Sequence, residues 1–127
     1  MPTMVLVIDD NEMNRELLLT MLDRMGLGCV TRADGLSGLQ ALDEQIFALA
    51  LVDLKLPDMD GFDVVRAIRK HEQNAGARVL LISGAQMVDD QVKDLCTGCD
   101  GYLAKPFTFD QLAAAVREQL AQRVVKG

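Results

Sequence analysis

The sequence predicts an α/β protein built on a doubly wound, five-stranded parallel sheet with helices on both faces. Three observations lead there. Short, continuously apolar runs recur at Met4 to Ile8, Ala48 to Val52 and Val79 to Ile82, and strands without alternation are those buried on both faces, as in parallel sheets. Amphipathic stretches of helical length separate these runs. Glycine, proline and asparagine fall in the gaps rather than inside the elements.

Taken in order, Met4 to Ile8 is the first strand and Glu12 to Met25 the first helix. That helix sets Leu18, Met21, Leu22 and Met25 at helical spacing and leaves Arg15, Glu16, Asp23 and Arg24 for solvent. Gly26 and Gly28 stop it. Gly28 to Arg32 is a weaker strand signal, after which Asp34 can cap a helix over Leu36 to Glu44. Ala48 to Val52 is the third strand, Pro57 and Gly61 bracket a turn, and Phe62 to Glu72 is a helix broken by Asn74 and Gly76. Val79 to Ile82 leads to a helix over Val88 to Cys96, and Tyr102 to Ala104 is the last, weakest strand. Thr108 with Gln111 three residues on forms a capping box for a final helix reaching Gln122. Five β-α units with right-handed crossovers fill residues 1–127 as one domain, with enough chain to bury a core.

Composition narrows the function. Half of the residues are hydrophobic and a quarter charged, the balance of a soluble globular protein. A formal net charge of -6 argues against a nucleic-acid partner, which needs a basic stripe to release counterions. No run approaches the roughly 18 apolar residues of a membrane span, and the start lacks a signal-peptide pattern. A cytoplasmic protein without membrane contact is expected. Of the cysteines, Cys96 and Cys99 form C-T-G-C. They follow a helical stretch, where a thiolate is disfavoured, and a zinc site would need Cys29 and His71 from distant segments. All three are read as small structural residues.

In such a sheet the ligand site lies beyond the carboxyl ends of the strands. There the sequence sets Asp9 and Asp10 after strand one, Asp53 after strand three, Ser83 after strand four and Lys105 after strand five. Singly, each has an ordinary explanation as a helix cap, a turn residue or a solvated lysine. Together they do not. Carboxylates about 5 Å apart repel by roughly 3 kcal/mol per pair at an effective dielectric of 20, so three of them call for compensating charge. Lys105 and a divalent cation could provide it; oxygen ligands favour a hard ion, and Mg²⁺ also accepts phosphate oxygens. Asp9-Asp10-Asn11-Glu12 would repel the phosphate of a pre-bound nucleotide or flavin.

The segments V-L-V-I-D-D-N, L-V-D-L-K-L-P-D-M-D-G, L-L-I-S-G-A and G-Y-L-A-K-P-F, in this order and at these separations, resemble the receiver domain of two-component response regulators over essentially the whole chain. The resemblance implies a flavodoxin-like (βα)5 fold with strand order 2-1-3-4-5. It implies that Asp53 accepts a phosphoryl group from phosphohistidine on a histidine kinase or histidine phosphotransfer protein. Asp10, Asp53 and the Lys55 carbonyl would bind Mg²⁺ directly and Asp9 mostly through water. Lys105 would pair with a phosphoryl oxygen ahead of a cis bond to Pro106. Ser83 would be the switch hydroxyl, and Tyr102 the aromatic that moves with it. Lys55 and Ala85, two past the phosphoacceptor and two past the switch hydroxyl, would govern hydrolysis of the acyl phosphate. Gly84 and Leu56 depart from the commonest residues without touching this chemistry.

The expected role is a stand-alone phosphoacceptor without an output domain, not a multi-turnover enzyme, a monomer or weak dimer that signals by binding a downstream protein. A receiver excised from a hybrid kinase is a variant of it. The partner that brings the phosphoryl group is expected to dock along the first helix at Met13, Asn14 and Leu17, and Val88 to Gln122 is expected to be the readout face. Two other classes compete: a constitutive interaction module needing no phosphate, and a small Mg²⁺-dependent phosphatase. The second lacks a lid, a substrate pocket and a second acid.

Overall fold

A computed structural model describes residues 3–84 and 98–124, with the side chains of residues 123 and 124 excepted. The helix expected over Val88 to Cys96 and the hydrolysis position Ala85 lie outside the described residues. Five strands, β1 (Met4–Ile8), β2 (Gly28–Arg32), β3 (Leu49–Asp53), β4 (Arg78–Ser83) and β5 (Gly101–Ala104), alternate with α1 (Glu12–Arg24), α2 (Gly35–Glu44), α3 (Gly61–Lys70) and, after β5, α4 (Phe109–Val124). All strand pairs are parallel, in the order β2-β1-β3-β4-β5. The doubly wound fold and its strand order are therefore as expected. Element ends differ from the sequence reading by only one or two residues.

Successive residues of each central strand go to opposite faces, which explains why the apolar runs are unbroken. Leu6, Ile8, Ala50, Val52, Val79 and Leu81 pack with Val64, Val65 and Ile68 of α3 and with Ala41 and Leu42 of α2. On the other face, Val5, Val7, Leu49, Leu51, Leu80 and Ile82 pack with Leu18 and Leu22 of α1 and Leu112 and Val116 of α4. The edge strand β2 is only half-buried throughout, which accounts for its weaker signal.

The caps follow from local chemistry. Asn11 accepts from the Asn14 N–H to start α1, and Asp34 accepts from the Ser37 N–H to start α2. Thr108 and Gln111 exchange both capping-box hydrogen bonds ahead of α4, at 2.9 and 3.1 Å. Helix α1 ends on Gly26, whose φ of +78° suits glycine. Its N–H bonds to the Asp23 carbonyl and that of Leu27 to Leu22, the paired bonds of a Schellman ending.

Asn74 does more than break α3. Its fully buried amide accepts from the Phe47 N–H and donates to the Leu42 and Gln45 carbonyls, holding the α2–β3 connection in place. Two side chains depart from the sequence reading. Arg15 is half-buried rather than solvated, because its guanidinium donates to the Asp9 carbonyl at 2.8 Å. Cys29 is free, with burial pushing its thiol up to about 11, whereas Cys99 is disulfide-bonded, a covalent role that packing arguments did not anticipate. Cys96 lies outside the described residues.

Candidate functional site

The site forms where β1, β3 and β5 end on one edge of the sheet. Asp9 follows β1 and is fully buried, with each of its polar groups engaged. Its N–H donates to Arg32, Oδ1 accepts from the Asn11 N–H at 2.9 Å, and Oδ2 accepts from Lys105. Asp10 is exposed beside it. Asp53 closes β3 and is 7% exposed, enough to be reached from solvent but not to be solvated. Its Oδ1 accepts from the Lys55 N–H at 3.2 Å and its Oδ2 from Lys105 Nζ at 3.0 Å.

These positions bring the charges together. Asp9, Asp10 and Asp53 each offer a carboxylate oxygen, all within 4.8 Å of one another. Lys105 bridges two of the three, 3.1 Å from Asp9 and 3.0 Å from Asp53. Three carboxylates and one ammonium leave two formal negative charges, which one divalent cation would neutralise. The donors are oxygens throughout, so the residues fit Mg²⁺.

Electrostatics follow the same balance. Burial raises the Asp53 carboxyl above the ordinary carboxylate range, Asp9 adds to that rise, and the hydrogen bonds from Lys105 and Lys55 offset only part of it. Burial also works against the Lys105 ammonium, but its hydrogen bond to Asp53 and the charges of Asp53 and Asp9 outweigh that, so its pKa is raised. The lysine stays charged where a cation is wanted. Asp53, by contrast, holds an ionised carboxylate at a cost that a further cation would relieve.

The remaining predicted residues are placed unevenly. Ser83 ends β4 and is buried; its carbonyl accepts from the Lys105 N–H at 2.7 Å, linking the ends of β4 and β5. Tyr102 on β5 is half-buried and packs on the α2–α3 side of the core. The Lys55 side chain is exposed, and its backbone bridges to Asp60 across the loop. That loop closes tightly at Gly61, where a Cβ would come 2.6 Å from the Asp53 carbonyl oxygen. The Lys105–Pro106 bond is cis, as expected.

Beside the acidic cluster lies a hollow of about 340 Å³ lined by Asp9, Asn14, Leu17, Lys105, Pro106 and Phe107. Met13 is 78% and Leu17 48% exposed on the adjoining face of α1, and with half-buried Asn14 they line one mixed apolar and polar rim. Pro106 and Phe107 were not assigned to that rim from the sequence, although they sit in the same segment as Lys105. Arg15 and Asp58 were likewise missed: Arg15 folds back on the Asp9 carbonyl six residues before it, and Asp58 accepts from Gly35 and Leu36, 23 and 22 residues back, contacts that no periodic pattern reveals.

A doubly wound parallel sheet whose carboxyl edge gathers three carboxylates and a lysine is the arrangement of an acidic, cation-fitting site. The chain matches the response regulator receiver domain over residues 5–117 and belongs to that family. It is 35% identical to the transcriptional regulatory protein HprR of Escherichia coli K12 over 93% of this chain and 52% of that protein. It spans about half the length of the curated regulators it matches. The CheY-like receiver domain protein of Methanospirillum hungatei JF-1 superposes with a TM-score of 0.88 over 100% of both chains at 26% identity. The receiver domain of sensor histidine kinase PA1611 from Pseudomonas aeruginosa PAO1, solved with a magnesium ion in its active-site cleft, gives 0.85 at 26% identity, covering 95% of this chain and 99% of that one. Receiver domains are phosphoacceptors that bind Mg²⁺ in an acidic site and work with histidine kinases and phosphotransfer proteins. Among the described residues, no helix is long and apolar enough to cross a membrane.

Proposed function

We propose that this chain is a phosphorelay receiver that takes a phosphoryl group from a partner's phosphohistidine onto Asp53 and signals by changing which protein it binds. The observation that carries the reading is the placement of Asp53: a nearly buried carboxylate, ammonium on one side and two further carboxylates within 4.8 Å.

An Asp53 oxygen attacks phosphorus in line with the donor. The new P–O bond forms as the P–N bond to the imidazole breaks, and the electron pair leaves on that nitrogen. Phosphoryl transfer asks the protein mainly for positioning and charge neutralisation. Lys105 pairs with a phosphoryl oxygen and holds Asp53 in place beforehand. Asp10, Asp53 and the Lys55 carbonyl would hold Mg²⁺, with Asp9 reaching it through water; the ion, when bound, neutralises phosphoryl oxygen charge. Ser83 then turns its hydroxyl to the new group, and Tyr102 follows, biasing the β4–β5 side toward a second state.

The donor docks over the hollow and along α1, where Met13 and Leu17 offer adaptable apolar contacts and Asn14 a polar one. Intact-mass spectrometry after incubation with acetyl phosphate and Mg²⁺ tests the reading. One stable added phosphoryl supports it; none points to a constitutive interaction module, and turnover of excess acetyl phosphate to a phosphatase.

A further inference from the structure

The loop between Asp53 and Gly61 belongs to the site at its base and to α2 at its tip. The base is closed by the antiparallel bridge between Lys55 and Asp60 and by the Gly61 N–H donating to the Leu54 carbonyl at 2.6 Å. At the tip, Asp58 reaches across to the start of α2. Its Oδ1 accepts from the Gly35 N–H at 2.8 Å and its Oδ2 from the Leu36 N–H at 2.9 Å. Met59 seats against Gly35 so closely that a Cβ there would lie 2.4 Å from its Cγ.

This contact completes the N-terminus of α2. The helix has no acidic residue in its own first turn. Asp34 satisfies the Ser37 N–H, and the Gly38 N–H bonds to the Asp34 carbonyl in the ordinary helical way. The Gly35 and Leu36 donors would otherwise lack a protein partner among these contacts, and a carboxylate is the acceptor that a helix N-terminus favours. Those hydrogen bonds hold Asp58 in a lowered-pKa, ionised state. A hydroxyl or amide at the tip could cap one donor; a carboxylate caps both and fixes the loop's orientation.

We propose that Asp58 is a positioning residue for the phosphoacceptor site: it ties the loop bearing the Lys55 carbonyl to the first turn of α2, coupling occupancy of the site to the order of that helix end. The inference rests on the acidic cluster being the cation and phosphoryl site. Coupling of this kind is reciprocal, so the factor by which the Asp58 contact tightens cation binding is the factor by which the cation tightens the contact. Helix α2 thereby reads the state of Asp53 without touching it.

The test compares wild type, Asp58→Ala and Asp34→Ala as full chains in Mg²⁺ titrations followed by amide NMR, together with hydrogen exchange at Gly35 and Leu36. Asp34→Ala removes another cap from the same helix while leaving the loop alone. Asp58→Ala is expected to weaken Mg²⁺ binding by about fivefold or more and to lower metal-free protection of Gly35 and Leu36 by about tenfold. Asp34→Ala is expected to keep wild-type Mg²⁺ affinity. In wild type, Mg²⁺ should raise protection at Gly35 and Leu36, and Asp58→Asn, which keeps the shape, should fall between. Unchanged Mg²⁺ affinity in Asp58→Ala, or an equal loss in Asp34→Ala, would overturn the proposal. A wild-type chain that binds no Mg²⁺ would overturn the reading of the site itself, and this inference with it.

Discussion

Lys105 Nζ donates to Asp53 Oδ2 at 3.0 Å, joining the ends of β5 and β3 across the intervening strand β4. The two residues are 52 positions apart, and only the sheet order makes them neighbours. A lysine held there neutralises part of a charge that burial has made costly.

Removing that ammonium leaves Asp9 and Asp53 facing each other unrelieved. Lys105→Met should lower stability at pH 7 by about 1–3 kcal/mol, and millimolar Mg²⁺ should restore part of the loss. Urea denaturation with and without Mg²⁺ measures both effects. The same substitution in an Asp53→Asn background should cost less, since one of the two stranded carboxylates is gone.

Much of this geometry is legible in the sequence because it rests on periodicity and strand ends. Val5 to Ile8 and Leu49 to Val52 are apolar at every position because both faces are covered, and the residue after such a run must lie on the carboxyl edge. Asp9, Asp53 and Ser83 follow from that rule, while Lys105 comes directly after the shorter, only partly buried edge strand β5. Asp58 does not, since its partners Gly35 and Leu36 lie 23 and 22 residues back and the sequence shows only a turn residue after a proline. Arg15 reads as a solvent-facing helix residue until the chain folds the Asp9 carbonyl beneath it. The same holds for Asp100, which collects Arg69, Arg78 and the Val79 N–H at the opposite end of the sheet. Such contacts depend on how loops meet, and no repeat encodes them.

Asp58 carries a pH dependence. The hydrogen bonds from Leu36 and Gly35 hold its folded pKa below the unfolded value, so the unfolded chain binds more protons in the window between the two. Its stabilising contribution is therefore complete above the unfolded carboxylate pKa, about 4, and is lost as pH falls through the depressed folded value. Wild type should exceed Asp58→Asn in stability at pH 7 and converge on it under strongly acid conditions. Thermal unfolding of both across that range checks the sign; a gap that widens on acidification would contradict it.

Lifetime of the acyl phosphate should be long. A long ammonium side chain at Lys55 can lie across the phosphoryl oxygens and exclude water, and a methyl group at Ala85 offers nothing to orient one. Lys55→Asn with Ala85→Glu should speed self-dephosphorylation, each 1.4 kcal/mol or so off the barrier being worth about tenfold. Decay of the labelled protein, followed without any partner, gives the rate; unchanged or slower loss would count against this assignment.

The rim on α1 predicts a specific defect in transfer. Met13 is 78% exposed, so Met13→Asp should leave the fold and acetyl phosphate labelling intact while slowing phosphorylation by a phosphohistidine partner. A normal rate from that partner would mean that Met13 is merely exposed.

The central claim is that Asp53 alone accepts the phosphoryl group, and the direct measurement is intact-mass spectrometry of wild type and Asp53→Asn after acetyl phosphate and Mg²⁺, with folding checked by circular dichroism. One phosphoryl on wild type and none on a folded Asp53→Asn is the predicted result. Stoichiometric labelling of Asp53→Asn at another carboxylate would contradict it.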